Sequence, residues 1–183
     1  NVTGVQTCAL PISQEKDGYS AVQVGFGDIK EVRVTKSLQG HFKKAKTPLL
    51  RRIVEFRSED TSKFSLGEEI KVDKVFSVGD FVKVVGTSKG RGFQGVVKRH
   101  HFGGGANTHG QSDRVRAPGS VGSSSYPSRV FKGQRMAGRM GGERVTVKNL
   151  KVIKVIPESN LLLLQGSVPG HNNSFITVHK EVR

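Results

Sequence analysis

The stretch RVTVKNLKVIKVIPESNLLLLQGSV, residues 144–168, decides the fold of this chain. Polar and apolar residues alternate along 144–156, which is typical of a half-buried β-strand. The tetrapeptide PESN at 157–160 predicts a turn, and the four leucines Leu161–Leu164 after it predict a buried strand. Two strands joined by a tight turn indicate a β-hairpin and therefore a β architecture.

Strand-like alternation recurs in the segments YSAVQVGF (19–26), IKEVRVT (29–35), RRIVEFR (51–57) and FVKVV (81–85). The chain closes on a further strand-like segment, SFITVHKEV, at 174–182. Between two of these segments, GHFKKAKTPLLRR predicts a basic loop or a short helical turn. Short strands with few helix signals predict a mainly β fold, either an all-β barrel or a sandwich.

Residues 89–144, which we call the basic excursion, differ from the strands on either side. They carry eleven Lys and Arg residues against two acids, and no Leu or Ile occurs from Lys71 to Asn149. Fourteen of the 23 glycines lie between Gly86 and Gly142. Because such a stretch cannot bury enough apolar surface to offset the entropy of its own ordering, it is predicted to be a functional or a disordered loop.

The formal net charge of +15, from 30 Lys and Arg against 15 Asp and Glu, predicts attraction to polyanions. Nucleic acid is the favoured partner, and an anionic membrane surface is the alternative. No apolar run approaches the ~20 residues of a spanning helix, so membrane insertion is not expected. The single cysteine, Cys8, excludes an internal disulfide and a Cys-based zinc site, and it indicates an intracellular, reducing environment.

Gly90, Gly92 and Gly95 spell G-x-G-x-x-G in GRGFQG, directly after a predicted strand. A dinucleotide-binding loop needs a helix next, and an acid about 20 residues further on to hold the ribose. The following segment, 96–105, is β-like and then broken by glycines, and the acid nearest that distance, Asp113, lies in a Gly/Ser-rich basic tract. A tight basic turn that approaches a partner is favoured, with a nucleotide-dependent enzyme as the alternative.

The stretch HHFGGGANTHG (100–110) offers histidines as metal ligands, but His100 and His101 are adjacent and would point to opposite faces of a strand. No carboxylate follows before Asp113, whereas structural zinc sites usually have four ligands. The serines Ser123–Ser125 lie in an acid-free tract without a nucleophile elbow, and no carboxylates are spaced for acid–base chemistry. No metal, cofactor or catalytic residue is predicted, and the chain is not expected to be an enzyme.

RNA binding suits the same residues better than any of these alternatives. Glycines let the backbone approach nucleotides, arginines contact phosphates bidentately, and aromatic side chains can stack on unpaired bases. A charged, disordered segment is the competing interpretation, but predicted strands flank the excursion at both ends, which favours a finger ordered by RNA. The candidate contacts in it are Lys89, Arg91, Lys98, Arg99, His100, His101, His109, Arg114, Arg116, Arg129, Lys132, Arg135, Arg139 and Arg144.

Several long motifs, in order along the chain, resemble the bacterial ribosomal protein L3 family of the large subunit. The similarity runs from about Asp17 to the C-terminus and rests on several uninterrupted motifs. These are DGYSAVQVGFG (17–27), GHFKKA (40–45), GTSKGRGFQGVVKRHHFGGGANTHGQSDRVRAPGSVG (86–122), PSRVFKGQRMAGRMGGERVTV (127–147) and NLLLLQGSVPG (160–170).

The resemblance implies a translation-protein-type β-barrel, formed by residues 13–98 and 145–183, that is seated on 23S ribosomal RNA. A long, basic, Gly-rich extension at 99–144, the finger, would be inserted between strands of the barrel and reach toward the peptidyl-transferase centre. A structural role in assembly of the large subunit is implied, in the cytoplasm and beside neighbouring large-subunit proteins. No cofactor, membrane or small-molecule substrate is implied.

The resemblance also implies RNA contacts at the surface of the barrel. The turn Lys89–Gly95 and the loop His41–Lys46 would supply them. In that loop the candidate residues are His41, Lys43, Lys44 and Lys46.

The first twelve residues, Asn1–Ile12, stand apart from the rest. Within them, Val2–Ile12 resembles a translated sequencing adapter, and it lacks the basic leading segment of a signal peptide. The segment is therefore expected to be non-native. Members of the resembled family have a strand before the DGY motif, and here the adapter-like stretch stands in its place.

Overall fold

The structure, a computed structural model, describes residues 2–3, 10–12, 17–58 and 64–181. The helices in this part of the chain are α1 (Lys36–Ala45), α2 (Val72–Val75) and α3 (Val96–His100), with a 3-10 turn at Glu31–Arg33. None of these helices has the length and apolar character needed to cross a membrane. The strands are β1 (Val2–Thr3), β2 (Leu10–Ile12), β3 (Ala21–Asp28), β4 (Leu50–Arg57), β5 (Phe81–Thr87), β6 (Phe93–Gln94), β7 (Gly138–Arg139), β8 (Arg144–Ile156), β9 (Leu161–Gln165) and β10 (Ile176–Lys180).

The fold is mainly β, as the sequence predicts. Among the described residues the strands form sheets in the orders β1-β9-β8-β5-β10, β2-β3-β4 and β6-β7. Within residues 144–168, β8 and β9 pair antiparallel, with Lys151 opposite Gln165 and Ile156 opposite Leu161. The predicted hairpin is confirmed, and closure of a barrel stays a prediction.

Besides β8, five strand predictions are confirmed with small shifts at the ends. The predicted strands at 19–26, 51–57 and 81–85 correspond to β3, β4 and β5. The closing segment 174–182 corresponds to β10, although Val182 lies outside the described residues. The run that contains Leu161–Leu164 forms β9.

Parts of the adapter-like segment form backbone pairs. β1 pairs antiparallel with β9, and β2 pairs antiparallel with β3. Cys8 and its neighbours at 4–9 lie outside the described residues. Whether Asn1–Ile12 is native concerns its origin and stays a prediction.

The chain divides into two compact units. The first unit comprises Asn1–Val82, Asn149–Gly166 and Lys180–Arg183, and the second comprises Lys83–Lys148 and Ser167–His179. The bounds of these compact units differ from those of the predicted barrel and finger. The predicted division into barrel and finger therefore stays a prediction.

Helix α1 packs against the β3–β4 pair in the first unit. Phe42 and Leu50 are buried together, and Leu49 and Ile53 pack on them from the partly exposed rim. Gly25 allows the close approach, because a Cβ atom there would lie 2.3 Å from Cδ1 of Leu50. A strand residue without a side chain therefore leaves the space that Leu50 fills.

The prediction of a basic loop or a short helical turn underestimates α1, which has ten residues. The helix is longer because Phe42 and Ala45 are one turn apart on one face and are both buried. It ends at Lys46, which has a φ of 55° and donates its N–H to the carbonyl of Lys43 at 3.1 Å. A cluster of lysines is thus fixed at the C-terminal end, where positive charge is favourable.

The predicted strand at 29–35 is wrong. A 3-10 turn at Glu31–Arg33 occupies its centre, and the N–H of Val34 donates to the carbonyl of Glu31 at 3.0 Å. Val32 is 97% exposed, so the alternation has no buried face behind it. An alternating pattern becomes a strand where a neighbouring strand takes its hydrogen bonds and its apolar side is covered.

The second unit has a small valine core. Val84, Val85 and Val96 are its buried hydrophobic residues among those described. Gly86, near the end of β5, lets this strand approach another segment closely, because a Cβ atom there would lie 3.0 Å from the carbonyl oxygen of Pro169. A core this limited leaves most of the unit to be held by backbone hydrogen bonds.

We expect Phe42→Ala to lower the free energy of unfolding by about 3–5 kcal/mol, because it leaves a cavity against Leu50. Leu38→Ala is the matched control on the same helix, since Leu38 is 42% exposed. Urea unfolding followed by circular dichroism measures both. Equal losses in the two variants would contradict the packing described for α1.

Burial, assisted by the nearby charges of Lys83 and Arg144, lowers the pKa of His179 from its ordinary value of 6.5. The folded state therefore disfavours the protonated ring, and the unfolded chain binds more protons once the pH falls below about 6.5. Stability should be complete above that pH and decrease below it. His179→Gln should reduce this decrease when unfolding is measured by urea titration near pH 7.5 and near pH 5.5. Parallel losses in the variant and the parent chain would disprove the assignment.

Candidate nucleic-acid interface

Residues 88–94 and 138–143 run side by side and form what we call the neck of the basic excursion. β6 and β7 pair antiparallel within it, with Phe93 opposite Arg139. Further backbone bonds continue the pairing on both sides: Ser88 N–H to Glu143 O, Arg91 N–H to Met140 O and Met140 N–H to Gly92 O, each at 2.9 Å. The two ends of the segment 95–137 are therefore joined by one short ladder.

Gly141 makes this close pairing possible. Its φ is +73°, and a Cβ atom there would lie 2.1 Å from the carbonyl oxygen of Lys89. Both the left-handed backbone and the lack of space require glycine. The glycine-rich character of this part of the chain thus has a specific cause within the protein.

Arg99 and His100 both contact one carbonyl oxygen of the segment that returns to the neck. Nη1 of Arg99 donates to the carbonyl oxygen of Met136 at 2.8 Å, and Nε2 of His100 lies 3.1 Å from the same oxygen. A Cβ atom on Gly138 would lie 2.6 Å from Nη1 of Arg99. Both side chains are half-buried, so part of their hydrogen-bonding capacity is used within the fold.

The three glycines Gly103–Gly105 serve a second close approach. The N–H of Gly105 donates to the carbonyl oxygen of Val115 at 2.9 Å. Gly104 has a φ of +73°, and a Cβ atom there would lie 2.3 Å from the same oxygen. These glycines therefore pack backbone against backbone inside the excursion.

The predicted contact residues are mostly open to solvent. Fifteen of the eighteen are exposed, and the half-buried ones are His41, Arg99 and His100. Within the part of the chain that the structure describes, none of the eleven Lys and Arg residues of the excursion forms an ion pair with a carboxylate. Their positive charge is therefore available to a partner.

Four predicted contact residues lie in the first unit and the other fourteen in the second. Lys43, Lys44 and Lys46 are exposed at the end of α1. His41 is engaged, because its Nε2 lies 2.7 Å from Oε1 of Gln23. The structure brings these four residues together on one helix end.

A polar chain continues from His41 across the β3–β4 pair. Nε2 of Gln23 donates to Oε1 of Glu55 at 3.1 Å, and the hydroxyl of Tyr19 donates to Oε2 of Glu55 at the same distance. The hydrogen bond to Glu55 raises the pKa of Tyr19 above its ordinary value of 10.0. His41 is therefore oriented by its neighbours, whereas the lysines are not.

The segment after Gly95 is not β-like, so that prediction is wrong. Val96–His100 forms helix α3, in which the N–H of Arg99 donates to the carbonyl of Gly95 at 2.9 Å. The helix forms because Val96 finds a buried site, at 2% exposure. The GRGFQG turn is nevertheless unlike a dinucleotide loop, because β6 lies between its second and third glycines and is paired with β7.

The sequence pattern places the two adjacent histidines on a strand, and the structure does not. His100 ends helix α3, and His101 follows it with a φ of 61°. Among the described residues, no three or more His, Cys, Asp or Glu side chains are grouped so that they could hold a metal ion. In the structure these two histidines lie at the C-terminal end of α3, and His100 also contacts the carbonyl oxygen of Met136.

Aromatic side chains form part of this surface, although no sequence motif marks them individually. Phe93 on the neck is 76% exposed, Tyr126 is 89% exposed, and Phe131 is 56% exposed. The guanidinium of Arg129 lies over the ring of Phe131 at 5.7 Å. The available signal is composition: aromatic residues in a basic, Gly-rich segment have few apolar partners within the chain.

The family model described as Ribosomal protein L3 matches residues 49–160, more than half of the chain and all of the basic excursion. The large ribosomal subunit protein uL3 of Chloroherpeton thalassium is 57% identical over 165 residues, which cover 90% of this chain and 79% of the relative. The chain belongs to the ribosomal protein L3 family. The L3 proteins of Chlorobaculum parvum and Chlorobium limicola are 58% and 53% identical over 167 residues, with 91% of this chain and 79% of each relative covered.

Membership in the L3 family confirms the resemblance seen in the sequence motifs. It also confirms that this L3-family chain is a structural ribosomal protein and not an enzyme. The individual contact residues are a separate matter, and they stay predictions.

In this L3-family chain, we expect Gly141→Ala to loosen the neck because of the clash with the carbonyl of Lys89. Gly133→Ala is a matched control: its φ of +83° carries a similar backbone strain, but nothing lies within 4 Å of the added Cβ. Hydrogen exchange at the amides of Arg91 and Met140 should accelerate in Gly141→Ala and change much less in the control. Equal acceleration would show that strain alone, and not the close pairing, is being tested.

Proposed function

We propose that the protein is a component of the large ribosomal subunit in the cytoplasm and that its basic excursion binds 23S ribosomal RNA. The observation that carries the proposal is the set of eleven Lys and Arg side chains in the excursion without a carboxylate partner among the described residues. Membership in the L3 family supports it. The names of the relatives place those proteins in the large subunit.

Unpaired cations bind a phosphate backbone mainly by releasing its condensed counterions. Arginine adds a planar fork that contacts phosphate oxygens bidentately, and five of the candidate arginines lie between Arg114 and Arg139. Because glycine has no side chain, the glycines of this segment let the backbone follow the RNA closely. The excursion therefore combines charge with a contour that can match a folded RNA.

Exposed aromatic residues extend the contact beyond phosphates. Phe93, Tyr126 and Phe131 expose most of their ring surface to water, which is unfavourable for a free protein surface. Unpaired bases of a structured RNA stack on such rings and provide a sequence-tolerant contact. These aromatic contacts would make binding depend on folded RNA with accessible bases.

The predicted residues divide into two roles on the basis of their contacts. Arg99 and His100 hold the carbonyl of Met136 and so position the returning strand. The exposed lysines and arginines of the excursion contact RNA directly. His41 is oriented by Gln23, while Lys43, Lys44 and Lys46 supply a smaller contact surface on the first unit.

The architecture implied by the family is part of the proposal. Residues 13–98 and 145–183 would form the barrel on the surface of the subunit, next to other large-subunit proteins. The finger, 99–144, would extend toward the peptidyl-transferase centre and support its surroundings during assembly. The neck holds both ends of the excursion in one place, which a finger directed into RNA requires.

The main test replaces Arg114, Arg116 and Arg135 with glutamine in one variant. Each lost phosphate contact should weaken binding by about 1 kcal/mol, and the slope of log K against log salt should fall by roughly 2–3. Filter binding or fluorescence anisotropy with a 23S ribosomal RNA transcript at several salt concentrations measures both quantities. Lys74→Gln is a control, because Nζ of Lys74 is already paired with Oε1 of Glu68 at 3.1 Å.

Affinity that stays flat between low and moderate salt would overturn the proposal. The alternative, a nucleotide-dependent enzyme that uses the Gly90–Gly95 turn, predicts saturable micromolar binding of a mononucleotide or dinucleotide in calorimetry. Gly92→Val would abolish that binding if the alternative held. The pairing of β6 with β7 across this turn counts against the alternative.

A further inference from the structure

The β8–β9 hairpin contains a β-bulge at Ile153. Val152 lies opposite Leu164, whereas Lys154 lies opposite Leu163, so Ile153 is the extra residue on β8. In a regular strand, residues three apart point to opposite faces of the sheet. The bulge shifts this alternation by one residue, and therefore changes which side chains share a face.

Burial follows the shifted alternation. Val152 and, on β9, Leu162 are buried on one face of the hairpin. Lys151 and Lys154 are both exposed, and their partners Gln165 and Leu163 are two residues apart on β9, so the two lysines share the other face. Their Cα atoms are therefore roughly 7 Å apart along the strand. Without the bulge, Lys151 and Lys154 would point in opposite directions.

Ile153 itself is turned outward by the bulge. It is 54% exposed and stands between the two lysines in the sequence. In a classic bulge the extra residue and its successor point to the same side of the sheet. The outer face of the hairpin therefore presents two cations with an apolar side chain between them.

The two lysines also lack an internal counter-ion. Among the described residues, two lysines form ion pairs with carboxylates: Lys74 with Glu68 at 3.1 Å and Lys180 with Asp80 at 2.7 Å. Neither Lys151 nor Lys154 has a carboxylate partner within the described chain. This face of the hairpin therefore keeps its positive charge.

We infer that the outer face of the β8–β9 hairpin, with Lys151, Ile153 and Lys154, is a further contact surface for the ribosomal RNA backbone, apart from the basic excursion and from the lysines at the end of α1. The inference rests on the proposed function and adds this hairpin face to the contacts proposed there. Charge complementarity selects the occupant: two unpaired cations on one face, on a chain of net charge +15, fit a polyanion. Ile153 and the lysine stems provide apolar contact with the sugars between the phosphates.

The experiment compares two double variants of the full chain. Lys151→Gln/Lys154→Gln removes the hairpin charges, and Lys74→Gln/Lys180→Gln removes two charges that are ion-paired in the same unit. Both variants lose the same net charge, so long-range attraction changes equally. Against a 23S ribosomal RNA transcript at low salt, the hairpin variant should bind about five- to tenfold more weakly, with a salt slope smaller by about 1.5. The control should lose much less, and circular dichroism shows that both are folded.

A relocation variant tests the bulge itself. Because positions 153 and 154 share the outer face, Ile153→Lys combined with Lys154→Gln should recover most of the affinity that Lys154→Gln loses. Failure to recover it would count against the shared face. In a regular strand the relocated charge would point to the other side and could not restore binding.

The outcomes separate this inference from the proposed function. Equal weakening of the hairpin variant and the control overturns the inference alone, because net charge then explains the effect. A hairpin variant that binds RNA like the control but no longer co-sediments with large subunits also overturns it, since the face then contacts a protein. A parent chain that does not bind the transcript overturns both.

Discussion

The backbone ladder of the neck is the constraint on which the basic excursion depends. Between Lys71 and Asn149 the chain has no Leu or Ile, so the excursion cannot be placed by a hydrophobic core of its own. Its two ends are instead joined by backbone hydrogen bonds from Ser88 to Glu143 and from Arg91 to Met140. Backbone bonds are independent of side-chain identity, which leaves the side chains of the excursion available for a partner.

Glycine is the residue that lets this ladder form. At Gly141, a Cβ atom would lie 2.1 Å from the carbonyl oxygen of Lys89, and inside the excursion a Cβ atom at Gly104 would lie 2.3 Å from the carbonyl oxygen of Val115. Side chains at these positions would push the facing segments apart. Arg99 and His100 add side-chain contacts, both with the carbonyl oxygen of Met136. Glycines and these two side chains thus replace the apolar contacts that hold an ordinary domain together.

The sequence predicts the strands well where alternation coincides with a buried face. Along β8, the apolar Leu150 and Val152 are buried and Lys151 between them is exposed, and Leu162 is buried on the facing strand. It fails at 29–35, where the same alternation meets no partner strand and Val32 stays in water. It fails in the opposite direction after Gly95, where Val96 alone is enough to bury one side of a five-residue helix. Strand pairing and single buried contacts depend on tertiary structure, so they cannot be predicted from local periodicity.

The candidate site could be predicted in kind, because charge and glycine content are properties of composition. The roles of individual residues could not, since Arg99 and Arg116 look alike in sequence but only Arg99 donates to the carbonyl oxygen of Met136 on the returning segment. The bulge at Ile153 is equally hidden, because a register shift depends on how β8 meets β9. A basic residue can be recognised from sequence, whereas its orientation depends on pairing.

Lys74 and Lys180 form ion pairs in the first unit, whereas no Lys or Arg of the basic excursion forms one with a carboxylate of the described residues. The hydrogen bond from Lys180 lowers the pKa of Asp80, and the hydrogen bonds from the N–H of Ser65 and from Lys74 lower the pKa of Glu68. These lysines are partly neutralised by their own fold. The excursion has only Asp113 and Glu143 as acids, and its cations keep their charge. A region that lacks both a core and counter-ions is poorly stabilised alone, and under the proposed function a phosphate backbone would supply the counter-charge that it lacks. Lys151 and Lys154 in the first unit share this property with the lysines at the end of α1, because none of them forms an ion pair with a carboxylate of the described residues.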